Sequence, residues 1–261
     1  MSSSSFYIPS LVKKYLMAVT GLILALFVLG HMLGNLQFFM GPDVINAYAL
    51  HLHELPLGML WLIRAFLLAC VAVHIAMGVL LYKENRAARP EGYAIKKTQV
   101  SSLSAKLMPV TGLVLLAYIV FHLLHFTIRM GPGEYAASEI GDVTVNLGHG
   151  QTAIFHDVYH MMAVGFQHAG TSLFYIVATG LLCVHLAHGF SSMFQTLGLR
   201  NERWRYTLDN VALGYGWVVF LGFAAIPASV LLFGVGDDYV DEREGLEPPP
   251  AHATAAPHAS H

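Results

Sequence analysis

Five long apolar runs decide what this chain can fold into. One helical crossing of a bilayer core needs about 20 mostly apolar residues. The runs lie roughly at Leu11–Met40, Leu57–Tyr82, Leu107–Ile128, Gly170–Phe194 and Val211–Val235. None alternates apolar and polar residues as a membrane barrel strand does. The expected fold is therefore an all-α membrane protein, a bundle of five transmembrane helices. Only 11% of the 261 residues are charged, against about 25% in a soluble domain. Lys and Arg total 14 and Asp and Glu 16, so there is no basic field to hold a nucleic acid. Cys70 and Cys183 lie inside apolar runs, with no spacing that suggests a disulfide or zinc framework. The first run is too long for the core of a cleavable signal peptide.

Orientation follows from Lys and Arg near the span ends. Lys13 and Lys14 precede the first span. Lys83, Arg86, Arg89, Lys96, Lys97 and Lys106 lie between the second and third, and Arg200, Arg203 and Arg205 between the fourth and fifth. The opposite loops hold almost none. The pattern places the N-terminus inside and the C-terminus outside. Residues 1–235 are then one membrane domain, and the acidic, then Pro/Ala/His-rich stretch 236–261 reads as a disordered outer tail. Its His252, His258 and His261 are too sparse for a metal tract. In the long outer loop, Gly131-Pro132-Gly133 signals a turn, and Phe155–Phe166 reads as a short interfacial helix on the outer surface. No internal repeat is expected beyond the pairing of helices described next.

Histidine is the anomaly, with 15 copies in the chain. Ligating residues inside a span are functional candidates, and His31, His74, His122, His125, His185 and His188 all qualify. With alternating helix directions, His31 and His122 share the outer level, and His74 and His185 the inner one. His125 and His188 follow at i+3, on an adjacent part of the helix face, so spacing alone leaves the choice within each couple open. Two imidazoles facing each other from different helices are what bis-histidine haem ligation requires. Gly21 and Gly112 each precede an outer-level histidine by ten residues, and so reach the inner level, where a missing side chain makes room for a porphyrin. Gly30 and Gly34 flank His31 in a small-xxx-small pattern that also serves close helix packing. Arg64, ten residues before His74, sits at the outer level, with a haem propionate as natural partner or snorkelling as the alternative. Tyr175, ten before His185, reaches the same depth.

Gly30-His31-Met32, the Gly112-to-His122 interval, and the run from His185 through His188-Gly189 to Gly198 resemble the dihaem cytochrome b anchor subunit of succinate dehydrogenases and fumarate reductases, in its single-polypeptide, five-helix form. The resemblance spans roughly Tyr7 to Leu232. It implies two haem b groups, with His31 and His122 on the distal iron and His74 and His185 on the proximal one. It selects His122 over His125 by its distance from Gly112, and His185 over His188 by its distance from Gly198. It implies a flavoprotein subunit carrying FAD and an iron–sulphur subunit, docked on the cytoplasmic face of the inner membrane. Membrane quinone is the substrate, in the respiratory chain and the tricarboxylic acid cycle. This chain has no dinucleotide fingerprint and no cysteine cluster, so it does no dicarboxylate chemistry alone.

Some fumarate reductases of the family carry a glutamate just before the fourth ligand. Here Leu182-Cys183-Val184 stands there, which favours succinate oxidation. Quinone reduction takes up protons, and His51, His53, Glu54, His125 and Arg129 at the outer ends of the first and third spans are the quinone-site candidates. Glu54 is equally readable as an ordinary loop carboxylate. Two other readings compete. A histidine-lined transporter calls for broken helices and a polar midplane, which the spans lack. The cytochrome b subunit of a hydrogenase or formate dehydrogenase shares the haem logic but not the motifs.

Overall fold

The computed structural model describes residues 8–87, 103–130, 141–148 and 151–246. Five of its helices are long and apolar enough to cross a membrane. They are α1 (Ser10–Asn35), α3 (Met59–Ala87), α4 (Leu103–His122), α6 (Ala169–Thr196) and α7 (Arg205–Phe233). A 3-10 turn, Leu36–Met40, extends α1, and a π-turn, Leu123–Thr127, extends α4. Apolar side chains cover these helices all round. Trp61 and Phe233 are 70% and 80% exposed, which suits a surface that meets lipid rather than water.

Helix α6 is the hub. It packs most extensively on α7 and also on α4 and α1, while α3 leans on α1. Small residues set the close approaches, as expected where lipid is as apolar as the side chains and packing drives association. A Cβ on Gly216 of α7 would stand 2.7 Å from the Cys183 carbonyl oxygen of α6. The Tyr215 hydroxyl donates to the Ala25 carbonyl across the α1–α7 contact at 2.5 Å. At one end of the bundle Lys13 pairs with Glu84, tying the start of α1 to the end of α3. That end also carries Lys14, Lys83, Arg86, Arg203 and Arg205, and can be called the basic end.

The other end is capped, and here the structure departs from expectation. The link after the first span holds a helix, α2 (Pro42–His53), started by Pro42 in its first turn, where a missing N–H costs nothing. The loop before the fourth span holds an antiparallel hairpin, β1 (Asp142–Gly148) and β2 (Gln151–His156), so the fold is not purely helical. The expected surface helix is present as α5 (Val158–Gln167), but Tyr159 through Phe166 are all buried. It is a core element packed against α2, α6 and α7, not an amphipathic strip. The first part of the expected disordered tail is also a helix, α8 (Asp237–Leu246). Gly234 ends α7 in the left-handed region at φ 62°, its N–H donating to the Val230 carbonyl as in an αL cap, while the Val235 N–H donates to the Ser229 carbonyl. The chain then turns back and buries Val240 against α5. The remainder of that tail, 247–261, lies outside the described residues, as does Gly131-Pro132-Gly133.

Asp157, fully buried, joins the cap together. One oxygen accepts from the His160 N–H at 3.0 Å, capping α5, and from Asn46 Nδ2 of α2 at 3.1 Å. The other accepts from the Tyr239 hydroxyl of α8 at 2.7 Å and faces Arg243 Nε at 3.4 Å. Asn46 Oδ1 in turn accepts from the N–H groups of Val158 and Tyr159. Burial and the bond to Asp157 push the Tyr239 phenol well above its usual range, so it stays a donor. Removing one partner of a buried charge network costs about 3–5 kcal/mol, because the others are stranded. Asp157→Ala should therefore lower stability by roughly 3 kcal/mol in thermal unfolding, and Asp157→Asn by clearly less.

His156 carries both ring nitrogens buried. Burial first, then Arg129, holds it below its ordinary pKa, against the opposing pull of Asp142 and Asp157. A histidine depressed in the folded state favours folding above its unfolded pKa and loses that contribution as pH falls through it. Acidification from about pH 8 to about pH 5 should lower hydrogen-exchange protection in the hairpin and α5, and His156→Gln should reduce that dependence.

Candidate functional site

Two histidine pairs bridge different helices at two levels of the bundle. Near the capped end, His31 of α1 and His122 at the end of α4 have ring centres 5.7 Å apart, with planes inclined at 79°. Nearer the basic end, His74 of α3 and His185 of α6 are 6.4 Å apart, inclined at 60°. One iron held between two imidazole nitrogens, at about 2 Å each, puts ring centres roughly 6 Å apart once ring depth is added. His74 faces Gly21, ten residues before His31 on α1. At about 1.5 Å rise per residue the levels are thus roughly 15 Å apart. Among the described residues, no three or more His, Cys, Asp or Glu side chains gather as around a lone metal ion. An iron carried by a macrocycle needs only two protein ligands.

The hydrogen bonds behind the rings assign their tautomers. Thr20 Oγ1 donates its one proton to the Leu16 carbonyl at 2.7 Å, and lies 3.3 Å from His74 Nδ1. Thr111 Oγ1 donates to the Leu107 carbonyl at 3.1 Å, and lies 3.2 Å from His185 Nδ1. A hydroxyl has one proton, so each threonine can only accept from the imidazole. The Met17 carbonyl, 3.2 Å from His74 Nδ1, is likewise an acceptor. Both rings therefore carry the proton on Nδ1 and leave Nε2 with the lone pair a metal takes. At the other level the buried Tyr175 hydroxyl sits 3.4 Å from His122 Nδ1 and 3.2 Å from His125 Nδ1. His31 stacks on Phe27 at 5.4 Å and borders a cavity of about 130 Å³ with Asn35 and Tyr48.

Gly21 and Gly112 each stand beside an imidazole of the inner level. A Cβ on Gly21 would meet His74 Cε1 at 3.1 Å, and one on Gly112 would meet His185 Cε1 at 3.7 Å. The missing side chain of Gly21 makes room for the His74 imidazole, whereas at Gly112 a Cβ would be in ordinary contact with the ring.

The threonines follow a repeat that the sequence reading missed. Leu16-Met17-Ala18-Val19-Thr20-Gly21-Leu22 matches Leu107-Met108-Pro109-Val110-Thr111-Gly112-Leu113, each eleven residues from threonine to the outer-level histidine. Val73-His74-Ile75-Ala76-Met77-Gly78 matches Val184-His185-Leu186-Ala187-His188-Gly189. The α1–α3 and α4–α6 units are two copies of one device. In that alignment His125 falls opposite Gly34 and His188 opposite Met77, so neither of these two is common to both copies. Arg64 and Tyr175 are equivalent positions.

The remaining candidates separate. His125 turns inward to Tyr175 and is 6% exposed. His51 and Glu54 are exposed at the end of α2. His53 packs on Phe155 of the hairpin, ring centres 5.1 Å apart, and burial, then Arg64 and Arg129, holds its pKa below the ordinary value. The Arg64 guanidinium lies 4.9 Å over the Trp61 ring, and Arg129 closes the π-turn with φ 61°.

Thr111→Val deletes the one hydroxyl that meets the His185 ring among the described residues. Imidazole 15N shifts of the histidine-labelled protein should then show a tautomer mixture at that residue, and an unchanged Nδ1–H signature would contradict the assignment. No protein-family model, curated protein or solved structure matches the chain, and the reading of the two pairs rests on their geometry and donor chemistry.

Proposed function

We propose that this chain is the membrane-anchor and electron-transfer subunit of a succinate:quinone oxidoreductase, of the dihaem cytochrome b type. The observation that carries the reading is the pair of cross-helix histidine couples, with ring spacings of 5.7 and 6.4 Å, and a threonine hydroxyl behind His74 and His185 alike. His31 and His122 hold the distal haem b, and His74 and His185 the proximal one. A haem bound in this way supplies reversible one-electron chemistry at an iron between two neutral nitrogens. Thr20, Thr111 and the Met17 carbonyl orient the proximal ligands and raise their basicity by taking the Nδ1 protons. The Tyr175 hydroxyl, 3.4 Å from His122 Nδ1, is placed to orient that ring. Arg64, the counterpart of Tyr175, is the cation for a propionate at the distal level.

The basic end is cytoplasmic by the positive-inside rule. The N-terminus is then inside, the C-terminus and the cap outside, and the membrane is the inner one. The iron–sulphur subunit and the FAD-bearing flavoprotein dock on the basic end. Haem held by His74 and His185 would be the group nearer the iron–sulphur subunit, and would supply one-electron chemistry between it and membrane quinone. His53 and Arg129, which adjoin at the cap, and His125, His51 and Glu54 are the groups available for its protons.

A reduced-minus-oxidised spectrum with haemochrome quantitation tests the reading. Two b-type haems per chain are expected, and none after expression with ample haem would overturn it. His74→Ala and His185→Ala should each remove the proximal haem, and His31→Ala and His122→Ala the distal one. His125→Ala and His188→Ala should retain both.

A further inference from the structure

The Tyr175 phenol has one proton and two imidazoles beside it. Its oxygen lies 3.2 Å from His125 Nδ1 and 3.4 Å from His122 Nδ1. The rest of its surroundings are aromatic: the ring centres of Tyr118, Phe121, Phe126 and Phe166 stand between 5.1 and 5.9 Å from its own. The side chain is buried. A buried hydroxyl proton needs an acceptor, and a single proton serves a single one.

Proton counting decides between the two rings. A haem-ligating His122 offers its Nε2 lone pair to iron and keeps its own proton on Nδ1. Toward His122 the tyrosine oxygen can therefore only accept. The phenol proton then goes to His125 Nδ1, which is also the nearer nitrogen. His125 in turn carries its proton on Nε2, on the side of Gly165 in α5.

The fold prepares this place for His125. It lies in the π-turn Leu123–Thr127, where the Ile128 N–H reaches the Leu123 carbonyl at 2.8 Å, a departure from α geometry frequent at functional positions. Gly165 clears the space from the cap side, since a Cβ there would stand 3.2 Å from His125 Cε1. The two side chains also occur together. The first copy of the duplicated unit has Arg64 in place of Tyr175 and Gly34 in place of His125. At the inner level the threonines give their protons to carbonyls of their own helices. The bonds of the Tyr175 hydroxyl run to imidazoles instead, and its acceptor comes from α4's extension.

We infer that His125 is a positioning residue for the outer haem ligand: it takes the Tyr175 proton, so that the tyrosine oxygen accepts from His122 Nδ1 and holds that ring in its ligating tautomer. A phenol that donates to one imidazole accepts more strongly from another, because hydrogen bonds in a chain polarise one another. His122 is thereby made more basic, which favours oxidised iron. The inference rests on the haem reading and gives His125 a task other than quinone protonation.

The test is a potentiometric titration of the whole complex, with each haem followed by its own spectroscopic signal and the distal one identified as that lost in His31→Ala. His125→Phe keeps a ring beside Phe121 and Phe126 but offers no acceptor. At a fixed potential near the distal midpoint it should raise the distal reduced-to-oxidised ratio about threefold, with the proximal haem unmoved and two haems per chain. His125→Asn, whose Oδ1 can stand where Nδ1 does, should return the ratio toward the unmutated value. Tyr175→Phe should raise it as well, and adding His125→Phe to Tyr175→Phe should change nothing further. An unchanged distal ratio in His125→Phe, a shift that persists in the Tyr175→Phe background, or no rescue by His125→Asn overturns the assignment. If His125→Phe loses haem, His125→Leu takes its place, and loss of the distal haem in both overturns it too. Absence of haem in the unmutated complex overturns the anchor reading itself, whereas two haems indifferent to His125 overturn only its positioning role.

Discussion

Two threonine protons organise the centre of this bundle. In an apolar interior a hydroxyl cannot leave its proton unpaired, and Thr20 and Thr111 give theirs to the carbonyl one turn back on their own helices. Each threonine oxygen is then an acceptor only, and a neighbouring imidazole supplies the N–H. Those bonds hold α3 to α1 through His74, and α6 to α4 through His185. They also orient both rings with one lone pair left for something else. Gly21, next to its threonine, removes the side chain that would crowd the His74 imidazole. Helix packing, ring orientation and ligand chemistry are one arrangement here, used twice.

The capped end answers a different problem. Where α1, α4 and α7 finish, α2, the hairpin, α5 and α8 close over the bundle, and a carboxylate is buried to join them. Asp157 is tolerable there because Asn46, His160 N–H, Tyr239 and Arg243 surround both oxygens. The cap keeps α5 against Tyr175 through Phe166, and Tyr175 in turn meets His122. A chain of contacts thus connects the latch at Asp157 with the outer-level histidine pair.

The spans were legible because lipid imposes a crude rule, a long apolar run, that needs no tertiary information. The depth matching of His31 with His122 and of His74 with His185 was legible because a straight helix converts residue count into height. What stayed hidden was rotation about the helix axis. Spacing left His122 and His125 open, and His185 and His188 open, and contact between rings separates them. The cap was hidden for another reason. Residues 158–166 look amphipathic in isolation, yet α2 and α8 cover their polar side as well. Asp237–Leu246 look like an acidic tail, and only the pocket for Val240 and the Asp157 carboxylate make them a helix. The repeated Leu-Met-x-Val-Thr-Gly-Leu motif was in plain view, and its threonines gained a meaning only when each was seen beside a histidine.

By itself the sequence determined how many helices can cross a bilayer, how far along each the histidines lie and which end is basic. These are one-dimensional properties, set by hydropathy, count and charge. Tertiary structure decided which imidazoles face one another, which hydroxyls hold them, and that a hairpin and three short helices seal one end. Such choices depend on the rotation and contact of neighbouring helices, where a shift of a few ångströms or one side chain's volume selects the partner.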